Sequence, residues 1–163
     1  MKTLFLMRHA KSSWDDPTLR DFDRPLNKRG LKTAPFMGKL MKQKNINPDL
    51  ILSSPAKRAA CTAELVKEHG NLSAEISYEK RIYDASAYDL LTVLSSIDDS
   101  IESLLLVGHN PGLEDLLRVL TGQTHRMPTA ALAKISLNIN AWQQISENFG
   151  KLEFLIKPKE EMK

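Results

Sequence analysis

The chain has 163 residues, 42% of them hydrophobic and 26% charged, with a formal net charge of +3 and a pI near 9.0. That length supports one domain, residues 1–163, with a sizeable core, and the composition excludes a disordered or collagen-like chain. The mild positive excess favours a phosphorylated or acidic partner. No basic stripe is interleaved with aromatics, so no nucleic-acid partner is expected.

Cys61 is the single cysteine, which rules out an internal disulfide and fits a cytoplasmic setting. The apolar run ahead of Arg8 is too short for a signal peptide or a membrane span, and no membrane partner is expected.

In chain order, Lys2 to Met7 is apolar without clean alternation, the pattern of a central strand. Residues Ala10 to Pro25 form a charged loop with Trp14 and two prolines, long enough to suggest a function. A helix is predicted over Asn27 to Lys44 on the stripe Leu31, Ala34, Gly38 and Met41, with Pro35 implying a kink or a late start. Leu50 to Ser53 reads as a second strand. A helix from Pro55 to His69 follows, N-capped by Ser54 and closed by Gly70. Ala74 to Glu79 is a third strand and Ala87 to Ile97 a helix. Leu104 to Val107 is a fourth strand. A helix from Pro111 to Leu120 follows, with Asn110 as N-cap, Glu114 and Asp115 in its first turn and Gly122 behind it. Ala131 to Ile139 and Lys151 to Ile156 complete the pattern as late strands. Alternating strands and helices predict an α/β three-layer sandwich around a mainly parallel sheet.

Three of these strands run into residues that carry chemistry. The first delivers Arg8 and His9, the second leads through Ser53-Ser54-Pro55 to Arg58, and the fourth ends at Gly108-His109-Asn110-Pro111-Gly112. The carboxyl edge of such a sheet is where ligands bind. Arginine presents a permanently charged planar fork to an oxyanion. Histidine, with a reference pKa of about 6.5, serves as a neutral nucleophile or a proton carrier. The combination points to a phosphate bound by Arg8 and Arg58 and attacked by a histidine. No histidine pair has metal-ligand spacing and Cys61 is alone, so no metal and no cofactor are expected.

The triplet Arg8-His9-Ala10, followed by Ser53-Ser54-Pro55 with Arg58 and then Gly108-His109, resembles the three ordered catalytic segments of the histidine phosphatase superfamily, which includes the cofactor-dependent phosphoglycerate mutases. Asp23-Arg24-Pro25-Leu26, Gly108-His109-Asn110-Pro111-Gly112 and Met127-Pro128-Thr129 resemble its small SixA-like phosphohistidine phosphatase branch. Ala10 departs from the glycine of the signature, a change tolerated unless that position needs a positive φ.

The resemblance implies a phosphoglycerate mutase-like fold, His9 as the nucleophile and protonated His109 as a stabiliser of charge on the transferring phosphoryl group. It also makes Arg24 a candidate phosphate ligand, with a loop salt bridge as the alternative. Many relatives carry a glutamate after the third strand as the acid for the leaving group. Here Asp84 is the first candidate and Glu79 the second, with capping of the next helix or an exposed loop charge as the alternative roles for Asp84.

The expected function is metal-independent hydrolysis through phosphohistidine on His9. The expected substrate is a phosphorylated protein, such as a histidine-phosphotransfer domain. The alternatives are a phosphatase for small phosphoesters and a catalytically idle phosphate-binding docking module. Trp14 is expected to cover the loop, with a substrate-facing aromatic as the alternative, Ser12 and Ser13 to make turns, and Asp15, Asp16, His69 and His125 to be solvated.

Overall fold

A computed structural model describes residues 1–162. Its six strands are β1 (Lys2–Arg8), β2 (Leu50–Ser53), β3 (Ile76–Tyr78), β4 (Ser103–Gly108), β5 (Leu132–Leu137) and β6 (Gly150–Ile156). They form one sheet in the order β3-β2-β4-β1-β5-β6. The β3-β2, β2-β4 and β4-β1 pairs are parallel, whereas β1-β5 and β5-β6 are antiparallel. The helices are α1 (Lys28–Gln43), α2 (Lys57–Gly70), α3 (Ala87–Ser95), α4 (Gly112–Thr121) and the short α5 (Pro158–Glu161).

Alternation along the central strands splits the core into two layers. Leu4 and Leu6 of β1, with Leu104 and Leu106 of β4, pack under Leu90 and Leu94 of α3 and Leu113, Leu116 and Leu117 of α4. Phe5, Met7, Leu105 and Val107 point the other way, against Ala34, Met37 and Met41 of α1 and Ala59, Ala63 and Val66 of α2. Both faces of β1 and β4 are therefore covered, which explains their unbroken apolar runs. Each large apolar side chain so buried contributes about 1.5–3 kcal/mol, which fixes the register of these strands firmly.

That register sets the functional edge. Tyr78, Ser53, Val107, Met7, Leu132 and Ile156 form one row across all six strands. Immediately beyond it the chain continues as Ser54, Gly108-His109, Arg8-His9 and Lys157.

Several local expectations are corrected. α2 begins at Lys57 behind Ala56, so Ser54 is not its cap; the Ser54 hydroxyl instead accepts from the Ala56 N–H. The residue before α4 is Pro111 rather than Asn110, whose side chain is engaged elsewhere. Gly70 is the last residue of α2, and Asn71 closes it at φ 52°. A side chain on Gly70 would press on the Gly38 carbonyl oxygen, 2.9 Å away, so Gly38 and Gly70 let α1 and α2 touch backbone to backbone. α1 runs continuously through Pro35. β3 and α3 are shorter than their sequence patterns, and Gly122 ends α4 at φ 75° as expected.

Candidate active site

The first site element is built by β1. Buried Leu4, Leu6 and Met7 anchor the strand, and the backbone leaves the sheet at His9, whose N–H donates to the Gly108 carbonyl at 3.1 Å. The His9 ring donates from Nδ1 to the Ala10 carbonyl at 2.7 Å. A carbonyl can only accept, so this contact assigns the proton to Nδ1 and leaves the lone pair on Nε2. Ala10 is fully buried and does not have a positive φ, which is why alanine is accommodated there. Its N–H donates to the Thr62 hydroxyl of α2 at 3.0 Å, tying the loop to the helix that carries Arg58.

β4 delivers His109. Its ring lies 5.1 Å, centroid to centroid, from that of His9, and its Nε2 is 2.8 Å from the Ser54 hydroxyl. Tyr83 meets the opposite side of His109 edge-on at 5.6 Å. Arg58, in the first turn of α2, and Arg8 are close enough that their charges act on both histidines. The structure therefore brings Arg8, His9, Arg58 and His109 together at the carboxyl edge. Arg8 Nε, Arg58 Nε and His109 Nδ1 are buried and make no hydrogen bond to another group among the described residues. Buried polar atoms of this kind are costly unless a ligand completes them.

Electrostatics follow from this crowding. Burial, followed by the charges of His109, Arg58 and Arg8, pushes His9 down to about 3, against the pull of the Ala10 carbonyl. Burial and then Arg58 and Arg8 push His109 down to about 4, with Asp21 opposing. In the ligand-free site these influences favour the neutral His109 imidazole. A phosphoryl dianion would restore the charge balance that allows it to take a proton.

Asp21 was not anticipated. It opens a 3₁₀ turn, Asp21–Asp23, inside the loop before α1. Its backbone carbonyl accepts from Arg58 Nη1 at 2.6 Å, and its Oδ2 accepts from Arg58 Nη2 at 2.9 Å and from the Tyr83 hydroxyl at 2.6 Å. Its Oδ1 accepts from Arg24 Nε at 3.1 Å. The Tyr83 hydrogen bond, then Arg58 and Arg24, hold its carboxyl down at about 2 despite some burial. The only available sequence signal was an acid three residues before Arg24.

Arg24 makes the loop salt bridge rather than lining the cavity: besides Asp21 it bonds Ser12 Oγ at 2.8 Å and stacks on Trp14 at 3.5 Å. Its charge still reaches His109. Trp14, 71% exposed, covers this arginine, in line with its expected role.

A cavity of about 200 Å³ opens onto the site, lined by Asp21, Arg58, Tyr83, Asp84, His109 and Asn110, with His9 buried behind it. Asp84 is exposed at this cavity with φ 56°, and the helix cap expected as its alternative role belongs to Ser86 in a capping box with Asp89. Glu79 is paired with Arg81 and does not line the cavity. Glu114 was read only as a helix-start acid. Its Oε2 also accepts from the Met127 N–H at 2.7 Å and from Asn110 Nδ2 at 3.0 Å. It thereby braces the Met127 loop, whose Met127 carbonyl accepts from Arg8 Nη1 at 3.2 Å.

With this geometry the chain matches the family model "Histidine phosphatase superfamily (branch 1)" over residues 4–90. A protein of Agrobacterium tumefaciens described as the phosphohistidine phosphatase SixA is 30% identical in sequence, covers 96% of this chain and 98% of its own, and superposes with a TM-score of 0.83. The chain belongs to the histidine phosphatase superfamily, in its SixA-like branch. An uncharacterised chloroplastic protein of Arabidopsis thaliana is 32% identical over 170 residues, 96% of this chain and 78% of its own. The protein histidine phosphatase SixA complexed with tungstate shares the fold, at 23% identity and a TM-score of 0.84 over 97% of this chain and 98% of its own. The central sheet and its flanking helices are thus those of the phosphoglycerate mutase-like fold.

Two outcomes are expected. Replacing Asp21 with alanine leaves the buried Arg58 and Arg24 guanidinium groups without their carboxylate. Urea unfolding should show a loss of roughly 1–3 kcal/mol, and a change within about 0.5 kcal/mol would contradict the bridging role. Because folding lowers both histidine pKa values, the unfolded chain binds more protons below about pH 6.5. Stability is then complete above that pH and falls as pH drops toward the folded values of about 4 and about 3. The urea midpoint should be lower at pH 5 than at pH 7, and less so in a His9→Gln/His109→Gln variant.

Proposed function

We propose that the protein is a metal-independent phosphatase that works through a phosphohistidine intermediate on His9 and hydrolyses phosphohistidine on a protein. The observation that carries this reading is the 2.7 Å hydrogen bond from His9 Nδ1 to the Ala10 carbonyl, which leaves Nε2 as a neutral nucleophile among arginines. In the first step the Nε2 lone pair forms the N–P bond as the bond to the leaving group breaks. The leaving atom departs with its electron pair and takes a proton. In the second step water forms a new P–O bond, His9 departs with the N–P electrons, and orthophosphate and neutral His9 result.

Arg8 and Arg58 would hold the equatorial oxygens by charge-assisted hydrogen bonds. His109, once protonated, would join them as the charge spreads in the transition state; such preorganised donors commonly form the largest catalytic contribution. Asp84 would donate the proton to the leaving group from the cavity mouth. Its position there supports that role over Glu79.

Two observations favour a protein substrate. The cavity of about 200 Å³ is smaller than ligand pockets of about 300–1,000 Å³, so a small metabolite would find few remote contacts to convert into catalysis. The Agrobacterium relative is described as a phosphohistidine phosphatase. The lone Cys61 thiol fits a reducing cytoplasm as the place of the reaction.

The test is a rapid quench of the wild type and His9→Ala with a ³²P-labelled phosphohistidine protein, in EDTA. Acid-labile label on the wild type alone, with turnover maintained in EDTA and a higher kcat/KM than for p-nitrophenyl phosphate, is the expected result. Label on His9→Ala, or metal-dependent turnover, would refute the mechanism. Equal or faster turnover of the phosphoester would refute the protein substrate.

A further inference from the structure

A second concavity, of about 560 Å³, lies on the same sheet edge and contains no histidine. Its rim carries Arg29 and Lys32 of α1, Lys157 just beyond β6 and Lys159 of α5, against one acid, Glu160. None of these four cations is paired with a carboxylate among the described residues. Thr33, Pro128, Pro158 and Met162 supply a largely apolar floor. The volume falls within the range of about 300–1,000 Å³ found for ligand pockets.

Two features set this groove apart from an ordinary solvated face. The first turn of α1 carries Lys28 and Arg29 and no acid. Cations at a helix N-terminus oppose the helix dipole and cost roughly 0.3–1 kcal/mol each, a cost that a negatively charged partner would remove. The groove is also tied through the chain to the candidate active site. Pro128 and Thr129 form its wall, while on either side of them the Met127 carbonyl accepts from Arg8 and the Ala130 N–H donates to the Arg8 and His9 carbonyls at 3.0 and 3.1 Å. Gly30, next to Arg29, packs so closely on the Lys11 carbonyl that a side chain there would collide with it.

We propose that this groove docks an acidic segment of the phosphorylated protein substrate, with an apolar side chain seated between Pro128 and Pro158. The inference rests on the protein-phosphohistidine reading above. It assigns Arg29, Lys32, Lys157 and Lys159 to partner choice and leaves the phosphoryl chemistry to the histidines and arginines. Charges in such a position act on encounter and on KM, and their effect is screened by salt.

The probe is a fluorescein-labelled octapeptide, Glu-Glu-Leu-Glu-Glu-Leu-Glu-Glu, titrated with the full chain by fluorescence anisotropy. A Lys157→Glu/Lys159→Glu variant should bind it about tenfold more weakly, equivalent to about 1.4 kcal/mol, and raise KM for the phosphohistidine protein by a similar factor. The variant's kcat and its turnover of p-nitrophenyl phosphate should stay at wild-type values. A milder Lys157→Ala/Lys159→Ala variant should fall between, which separates charge from misfolding. Absence of peptide binding, or equal binding by all three proteins, overturns the groove. Tighter binding of a single-stranded oligonucleotide or of phosphatidylserine vesicles through the same lysines overturns it as well. Peptide binding at these lysines without hydrolysis of any phosphohistidine protein would sink the proposed function and leave the groove standing. Hydrolysis that the charge reversals leave untouched would do the opposite.

Discussion

Two arginines and two histidines share one largely buried sheet edge, and their mutual repulsion constrains everything around them. Neighbouring charge and burial work in the same direction on an imidazole, so both rings are held neutral. The guanidinium groups stay charged and need a counter-anion. For Arg58 that anion is Asp21, shared with Arg24 and steadied by Tyr83, while Glu114 acts on Arg8. A phosphate reaching the site therefore meets Arg58 nitrogens already engaged by Asp21, beside the Arg8 and Arg58 Nε donors that no group among the described residues completes.

The sheet makes this crowding affordable. The buried faces of β1 and β4 set the register, and the register places Ser53, Val107 and Met7 in one row. A slip of one residue would turn the apolar sides of these strands into the wrong layers, so the positions of His9, His109 and Arg58 follow from core packing. Glu114 and Asn110 then fix the Met127 loop over Arg8. The same loop separates the phosphate site from the basic groove, so one short segment forms a wall of both.

Much of this was legible in the sequence because it rests on patterns of short range. Apolar runs located the central strands, and the ends of three of them named Arg8, His9, Arg58 and His109. The errors arose where a side chain had two possible partners. Ser54 and Asn110 look like helix caps by position, yet in three dimensions Ser54 bonds His109 and Asn110 bonds Glu114 and the Met127 carbonyl. Asp21 was missed because its partners Arg58 and Tyr83 lie 37 and 62 residues away, beyond the reach of any local spacing rule. Asp84 ranked ahead of Glu79 as sequence, and the fold pairs Glu79 with Arg81 and leaves Asp84 at the cavity.

The central claim is that His9 waits as a neutral imidazole with its proton on Nδ1 and its lone pair on Nε2. The most direct measurement is a ¹⁵N NMR titration of the histidine side chains in the ligand-free protein, with His9→Gln and His109→Gln used to assign the signals. The predicted result is a His9 ring that keeps the Nδ1–H tautomer and shows no titration between pH 7.5 and pH 5. A His9 midpoint near pH 6.5, or a proton resident on Nε2 at neutral pH, would contradict it.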